Sequence, residues 1–181
     1  MLYLGIDQSY GGFGLARLYT AYADISVVRF SSRKFGRGVD RLIAVEDWLW
    51  EQLDLLPEWP QHVAMEGYAR GRQNRREEAG ELAAIVKRVL WSALPDLVHY
   101  PTIVAPSQVK YFATGKGSAT KEDVIAAVRQ KWGVTCKNDN AADAFTLAKI
   151  AQAVATGQTD YDYEREVIER LTPHTERVAY L

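Results

Sequence analysis

The sequence predicts an α/β protein whose sheet contains strands of both directions. Three short apolar segments separated by tight turns open the chain, a pattern typical of an antiparallel meander. Segments with helical and strand periodicity then alternate, and amphipathic helices finish the chain. Strands in this order are expected to form one mixed sheet that is flanked by helices.

Apolar periodicity and turn residues predict the elements of the first half of the chain. The opening strand is a short apolar run, and a glycine-rich turn follows it. Apolar residues at helical spacing form the first helix, which ends before Pro57. A further strand runs to Glu66, and an arginine-rich loop then leads to a long helix that ends before Pro95. These elements are strands at 2–7, 13–19, 24–30 and 62–66 and helices at 38–56 and 75–94.

The second half contains one more predicted strand, three helices and a charged tail. Pro101 interrupts or opens the strand, and the glycine-rich loop TGKGS separates the first two helices. The elements are a strand within 98–105, helices at 106–113, 119–132 and 138–155, and one short helix at about 163–171. A length of 181 residues suits one compact domain. We expect that domain at 1–157 and a charged tail at 158–181.

Composition excludes several classes of protein. Cys136 is the only cysteine, which excludes a disulfide framework and a zinc site built from several cysteines and favours a reducing compartment. No apolar run approaches the ~20 residues of a membrane span, and the N-terminus does not resemble a signal peptide. We expect a cytoplasmic protein without a membrane partner. A net charge of −1 argues against coating nucleic acid by bulk charge, so any basic surface has to be local.

Acidic residues are placed where strand ends and a helix present them to a shared edge. Asp7 and Glu66 end strands, and Asp143 lies in the first turns of a late helix, one turn after Asp139 and Asn140. Mg²⁺ prefers oxygen ligands, and two such ions can activate water and stabilise a leaving oxygen. The pattern predicts phosphodiester hydrolysis with two Mg²⁺ ions, for which Mn²⁺ is expected to substitute.

Each carboxylate also has a structural alternative. Asp7 alone is typical of a turn, Glu66 alone could pair with a nearby arginine, and Asp139 alone could cap its helix. The combination of all of them, with small alanines beside Asp143, favours a metal site over these separate explanations.

The densest run of positive charge directly follows Glu66. Its residues are expected to hold DNA phosphates at the rim of the site, and Tyr68 to stack on an exposed base. The alternative is a solvated helix start whose arginines pair with nearby glutamates. The residues concerned are Tyr68, Arg70, Arg72, Arg75 and Arg76.

Four blocks of the sequence, in the same order, resemble RuvC-type Holliday junction resolvases, phage-type members included. The resemblance implies the RNase H-like superfamily, with a five-stranded mixed sheet flanked by helices, and covers most of the chain. The last two blocks are the most specific. The blocks read GIDQSYGGFGLA, AMEGYA, APSQVKYFATGKGSATKEDVIAAV and DNAADAFTLA.

The resemblance also implies roles for individual residues. Asp7, Glu66 and Asp143 match three metal-binding carboxylates of the family. The family's fourth carboxylate corresponds to Asn140, which offers only a neutral oxygen, so we favour the neighbouring Asp139 as the fourth ligand and keep Asn140 as the alternative.

Three lysines of the third block complete the implied site. Lys121 matches a lysine near the family's active site and is expected to stabilise charge on the phosphate. Lys110 matches a lysine that contacts DNA, and Lys116, in the loop between them, is assigned to the same DNA-binding set.

The implied function is that of a Mg²⁺-dependent endonuclease that cleaves four-way DNA junctions as a homodimer. Two symmetric nicks require two sites, and one chain has room for one carboxylate cluster. Some residues of the long helix could form the dimer contact or ordinary core, namely Leu82, Ile85, Val89 and Trp91.

Three alternatives stay open. One is a flap, fork or other branched-DNA endonuclease of the same fold. Another is an ATP-binding relative of the actin and sugar-kinase group, because the opening GID with its glycine-rich hairpin also resembles that group's phosphate-binding strands. The third is a catalytically inactive DNA-binding protein, suggested by Asn140.

Overall fold

The structure is a computed structural model that describes residues 1–67, 76–94 and 101–171. The strands are β1 (Leu2–Asp7), β2 (Phe13–Tyr19), β3 (Ala23–Val28), β4 (His62–Glu66) and β5 (Thr102–Val104). The helices are α1 (Ser32–Phe35), α2 (Val39–Asp54), α3 (Arg76–Ala93), α4 (Pro106–Thr114), α5 (Lys121–Trp132), α6 (Asp139–Thr156) and α7 (Asp162–Leu171).

In the described part of the chain, the five strands form one mixed sheet in the order β3-β2-β1-β4-β5. β2 pairs antiparallel with both β1 and β3, while β4 pairs parallel with both β1 and β5. The predicted mixed α/β architecture is therefore confirmed. Because β3 runs in the same direction as β1, the C-terminal ends of β1, β3, β4 and β5 share one edge of the sheet.

Most boundaries of the elements agree with the predictions to within one residue. α2 ends at Asp54 rather than at Leu56, α5 begins at Lys121 rather than at Ala119, and three further differences concern β3, α1 and β5. β3 begins at Ala23 and ends at Val28, so the strand predicted at 24–30 ends two residues early. The short helix α1 was not predicted. The strand predicted within 98–105 is Thr102–Val104, and the part before residue 101 lies outside the described residues.

Helices cover both faces of the sheet. On one face, α2 and α3 pack against apolar residues of β1 and β2, including Leu4 and Leu15. On the other face, α6 lies across the sheet, and α4, α5 and α7 pack around it. The α6 sequence is rich in alanine and apolar almost all round, as expected of a helix surrounded by protein.

Where the structure describes them, the helices give no candidate for a membrane span, because none combines sufficient length with sufficient apolar character.

Candidate active site

The parallel pairing of β1 and β4 brings two carboxylates together at the edge of the sheet. Ile6 lies opposite Met65 in the register, so Asp7 and Glu66 end neighbouring strands at the same level. The side chain of Asp7 is almost completely buried, and that of Glu66 is partly buried. Two residues that are far apart in the sequence thus become neighbours through strand pairing alone.

Glycines in β1 and β2 allow α6 to approach the sheet closely enough to add a third carboxylate. A Cβ atom at Gly5 would lie 2.1 Å from the Ala144 carbonyl oxygen, and one at Gly14 would lie 2.6 Å from the Asn140 carbonyl oxygen. Any side chain at these positions would push the helix outward. The close packing places Asp143 of α6 beside Asp7 and Glu66.

Burial raises the pKa values of all three carboxylates, and neighbouring negative charges raise those of Asp7 and Asp143 further. Burial raises the pKa of Asp7 well above its usual value, and the negative charges of Glu66 and Asp143 raise it further. Burial followed by the charges of Glu66 and Asp139 raises the pKa of Asp143 to about 7. Burial also raises the pKa of Glu66, while a hydrogen bond with Asp7 and the charges of Lys110 and Lys121 oppose that rise. The group therefore contains more negative charge than its surroundings neutralise.

Asp139 differs from these three carboxylates because it has a cationic partner. Lys121, the first residue of α5, forms an ion pair with Asp139, which lowers the pKa of Asp139 and raises that of Lys121. Thr120 caps α5, which begins at Lys121, because its hydroxyl accepts a hydrogen bond from the Asp123 amide at 3.2 Å. The cap of α6 is Asn138 rather than Asp139, since the Asn138 side chain accepts a hydrogen bond from the Ala141 amide at 2.9 Å.

The side chain of Asn140 faces Asp7. Its terminal atom lies near two acceptors, Asp7 Oδ2 and the Gly12 carbonyl oxygen, so this atom is the amide nitrogen, which donates to both at 3.2 Å. A Cβ atom at Gly12 would occupy the space of this amide. In this arrangement Asn140 supports Asp7 through donated hydrogen bonds.

The oxygen atoms available as metal ligands at the site suit a hard divalent cation. Carboxylate oxygens dominate, and these are the ligands that Mg²⁺ prefers. Across residues 1–67, 76–94 and 101–171, no three histidine, cysteine, aspartate or glutamate side chains converge closely enough to form a ready metal cage. Mg²⁺ usually keeps several waters and takes only one or two protein carboxylates, so such a cage is not needed. The mutual repulsion of Asp7, Glu66 and Asp143 is what a bound cation would relieve.

Gln8 is a site residue that the sequence did not reveal. Its side-chain nitrogen donates to the Glu66 carbonyl oxygen at 2.8 Å, which ties the end of β1 to the end of β4. Its side-chain oxygen is buried and has no hydrogen-bond partner among the described residues. The available signal was its position directly after a strand-ending aspartate.

The lysines predicted at the site have different positions. Lys110 and Lys121 both lie near enough to Glu66 and Asp143 to lower their pKa values. Lys116 lies in the exposed loop between α4 and α5. Hydrogen bonds with Thr120 lower the pKa of Asp123, and the charge of Lys116 adds to that effect rather than acting on a site carboxylate. The structure thus brings two of the three lysines to the carboxylates.

The predicted basic loop lies outside the described residues. Tyr68, Arg70, Arg72 and Arg75 belong to this part of the chain, and Arg76 begins α3. Their assignment to DNA contact stays a prediction.

The residues of α3 that were predicted to offer a dimer contact are partly in the core and partly on the surface. Leu82 and Val89 are buried in the core between α3 and the sheet, and Ile85 packs against the same core. Trp91 is 66% exposed. Of the four residues, only Trp91 presents a large apolar surface on the single chain.

Known structures share this fold. No protein-family model and no curated protein sequence matches the chain. The structure is similar to that of Thermus thermophilus RuvC in complex with a Holliday junction substrate, with a TM-score of 0.64 and 26% sequence identity over 82% of this chain and 90% of that chain. It is also similar to another structure of T. thermophilus RuvC, with a TM-score of 0.61 and 25% identity over 82% of this chain and 91% of that chain. The resemblance in sequence and the RNase H-like fold that it implied are confirmed.

Proposed function

We propose, because this chain has a RuvC-type fold, that it is a structure-selective endonuclease that cleaves four-way DNA junctions. The observation that carries the proposal is that Asp7 and Glu66 end neighbouring strands and that Asp143 lies near enough for its charge to raise the pKa of Asp7. A protein of the same fold has been solved with a Holliday junction as its substrate. The three carboxylates of the present chain suit the metal-assisted phosphodiester hydrolysis that cleavage of such a substrate requires.

We further propose that Asp7, Glu66 and Asp143, with Asp139, hold two Mg²⁺ ions, and that Mn²⁺ can replace them. When bound, the ions would supply an activated water and stabilise the leaving oxygen of the cleaved phosphodiester. Their positive charge would also lower the pKa of Asp143 from about 7, so that the carboxylate is ionised at neutral pH. Asn140, as a hydrogen-bond donor to Asp7, supports this site from its border.

The lysines of the site would hold the DNA phosphate. Lys121 is mostly exposed although it is paired with Asp139, so its ammonium group can also face the backbone of bound DNA. Lys110 acts electrostatically on the same carboxylates. Positive charge at these two positions would attract the scissile phosphate toward a site that would otherwise repel it.

The proposed enzyme acts as a homodimer, since a four-way junction is resolved by two nicks in strands related by two-fold symmetry. A closed dimer would provide two identical sites in that relation. Sedimentation with and without junction DNA tests this directly. A protein that stays monomeric on a junction and releases only singly nicked product would favour a flap or fork endonuclease.

The decisive experiment is cleavage of a synthetic four-way junction in Mg²⁺, beside the matched variant Asp7→Asn. Three-way, flap and linear duplex substrates of the same sequence measure selectivity for the branch. We expect paired nicks in the four-way junction, no cleavage after chelation, and recovery with Mn²⁺. Equal cleavage of linear duplex would overturn the junction selectivity, and cleavage by Asp7→Asn at the parental rate would overturn the proposed metal site.

A further inference from the structure

A second basic region lies between β3 and α2, far in sequence from the arginine loop. Residues 29–37 read RFSSRKFGR and contain four cationic side chains and no acidic one. We call this stretch the basic α1 segment, and its cations are Arg29, Arg33, Lys34 and Arg37.

Aromatic residues hold this segment in a defined position. The ring of Phe35 packs on that of Phe30, with centroids 5.2 Å apart, and Phe30 packs in turn on Phe13 and Trp48 in the core. The Phe30 amide donates to the Tyr10 carbonyl oxygen at 3.1 Å, which ties the segment to the turn after β1. The cations are therefore displayed from a packed support.

The segment follows the same edge of the sheet that carries the candidate active site. Asp7 pairs with Gly14, and Gly14 pairs with Val27, so the end of β3 lies two strands from Asp7. Two strand spacings amount to about 10 Å, and the segment begins two residues beyond Val27. The end of β3 is therefore close enough to Asp7 for a segment that continues from it to reach phosphates that would flank a strand held at Asp7.

The four cations are exposed and carry unneutralised charge. All four side chains are exposed, and none of them forms an ion pair within the described ranges 1–67, 76–94 and 101–171. Arg41, one turn into α2, provides a contrast, because it pairs with Glu78 at 3.5 Å and lies over the Tyr10 ring at 3.7 Å. Arg41 is thus neutralised within the protein. The cations of the basic α1 segment have no such ion pair, although Lys34 lies over the Phe35 ring at 4.8 Å.

We propose that the basic α1 segment binds the phosphate backbone of a DNA arm beside the cleaved strand. The inference rests on the proposed function and extends it, because it assigns part of the DNA surface to a region outside the four blocks that resemble the RuvC family. Spaced cations on a packed support suit phosphates, which are regularly spaced and carry one charge each. The contact is independent of sequence and contributes affinity rather than chemistry.

The test is the salt dependence of binding to a synthetic four-way junction without divalent metal. In the variant Arg33→Gln/Lys34→Gln/Arg37→Gln, the slope of log affinity against log salt should become shallower by two to three units, since each phosphate contact contributes about 0.9. Affinity at moderate salt should fall roughly tenfold or more. Cleavage at saturating DNA should stay near the parental rate, because no substituted residue belongs to the carboxylate site.

Two further variants separate this contact from general effects of charge. Arg129→Gln/Arg165→Gln/Arg170→Gln removes three exposed cations from α5 and α7, on the other face of the sheet, and should leave the slope nearly unchanged. Arg33→Lys/Arg37→Lys retains the charge and should retain the slope. Thermal melting confirms that each variant is folded.

A parental slope in the first variant would overturn the proposed contact. Equal losses in the first variant and in the α5 and α7 variant would overturn it as well, since only net charge would then matter. These results are distinct from a failure of the proposed function, in which the parental protein itself would not cleave the junction.

Discussion

Two buried groups of charged side chains lie on the α6 side of the sheet and differ in how their charge is balanced. In the first, Lys131 of α5 pairs with Glu164 of α7, and their side chains are only 10% and 3% exposed. Lys131 also donates to the Phe112 and Ala113 carbonyl oxygens at 3.2 and 3.3 Å, and Glu164 accepts from the Asp160 amide at 2.9 Å. Opposite charges and hydrogen bonds satisfy this group.

The second group consists of Asp7, Glu66 and Asp143, and it is not satisfied in this way. Like charges lie together. Burial raises the pKa values of all three, and neighbouring carboxylates raise those of Asp7 and Asp143 further. Such an arrangement costs folding free energy unless protons or a cation neutralise it. The first group thus fixes α7 to the fold, and the unbalanced charge of the second group supports its proposed role as a metal site.

The largest expected effect concerns the second group. Asp7→Asn, Glu66→Gln and Asp143→Asn should each reduce junction cleavage by more than about 100-fold. Loss of a residue that only supports a metal ligand already costs up to about 100-fold, and loss of a ligand itself should cost more. Junction binding should change little, because basic residues dominate affinity. Single-turnover cleavage and binding measured side by side test this. A variant that cleaves at the parental rate removes its residue from the proposed site.

The satisfied group should respond in stability rather than in catalysis. Glu164→Gln and Lys131→Met should each lower the free energy of unfolding by about 3–5 kcal/mol, since each leaves one buried charge without its partner. Denaturant unfolding measures the loss. The control is Arg165→Gln, which breaks the exposed pair with Asp162 in the same helix and should cost at most about 1 kcal/mol. Equal losses for the two pairs would contradict the comparison.

Substitutions at Asp139 and Asn140, which lie beside the second group, should have a weaker effect on cleavage. If Asp139 supplies the fourth ligand, Asp139→Asn should raise the Mg²⁺ concentration needed for half-maximal cleavage by roughly tenfold or more. Asn140→Ala should raise it less, because it removes only hydrogen bonds to Asp7 and Gly12. Asn140→Asp adds a negative charge and should lower the requirement. A larger effect for Asn140→Ala than for Asp139→Asn would assign the ligand to Asn140.

The smallest expected effect is a pH dependence of stability in the metal-free protein. Asp143 loses its proton near pH 7 when folded, whereas an unfolded aspartate does so near about pH 4. Between these values the folded protein holds more protons, so its free energy of unfolding falls as pH rises. The melting temperature in chelator should drop by a few degrees from about pH 5 to about pH 8. Asp143→Asn should flatten this profile, and an unchanged slope would exclude Asp143 as its cause.

The sequence determined the order of the elements and the identity of the acidic residues. Apolar periodicity places β1, β2 and β4 with their observed bounds, because each is a short buried segment between turn residues. The fold class follows from that order. Asp7, Glu66 and Asp143 could be selected because each stands at the end of a strand or near the start of a helix, which is where side chains reach a common edge.

Other features could not be read from the sequence, because they depend on partners that are distant in the chain. Residues 158–171 are mostly charged or polar, yet Val167 and Ile168 are buried in the core on the α6 face of the sheet. Gln8 gains its role only when β4 pairs beside β1. Trp91 is exposed and Leu82 is buried, although both belong to the same apolar periodicity of α3. Only the docking of α3 on the rest of the protein distinguishes them.

Tertiary structure alone decided how the charges of the site are distributed. The sequence presents Asp139, Asn140 and Asp143 on one helix and leaves open which of them belong together. Packing of α6 on the glycines of β1 and β2 turns Asp143 and the Asn140 amide toward Asp7, and the position of α5 pairs Asp139 with Lys121. Electrostatic energies depend on distance and burial, and neither is fixed until the helices are packed on the sheet.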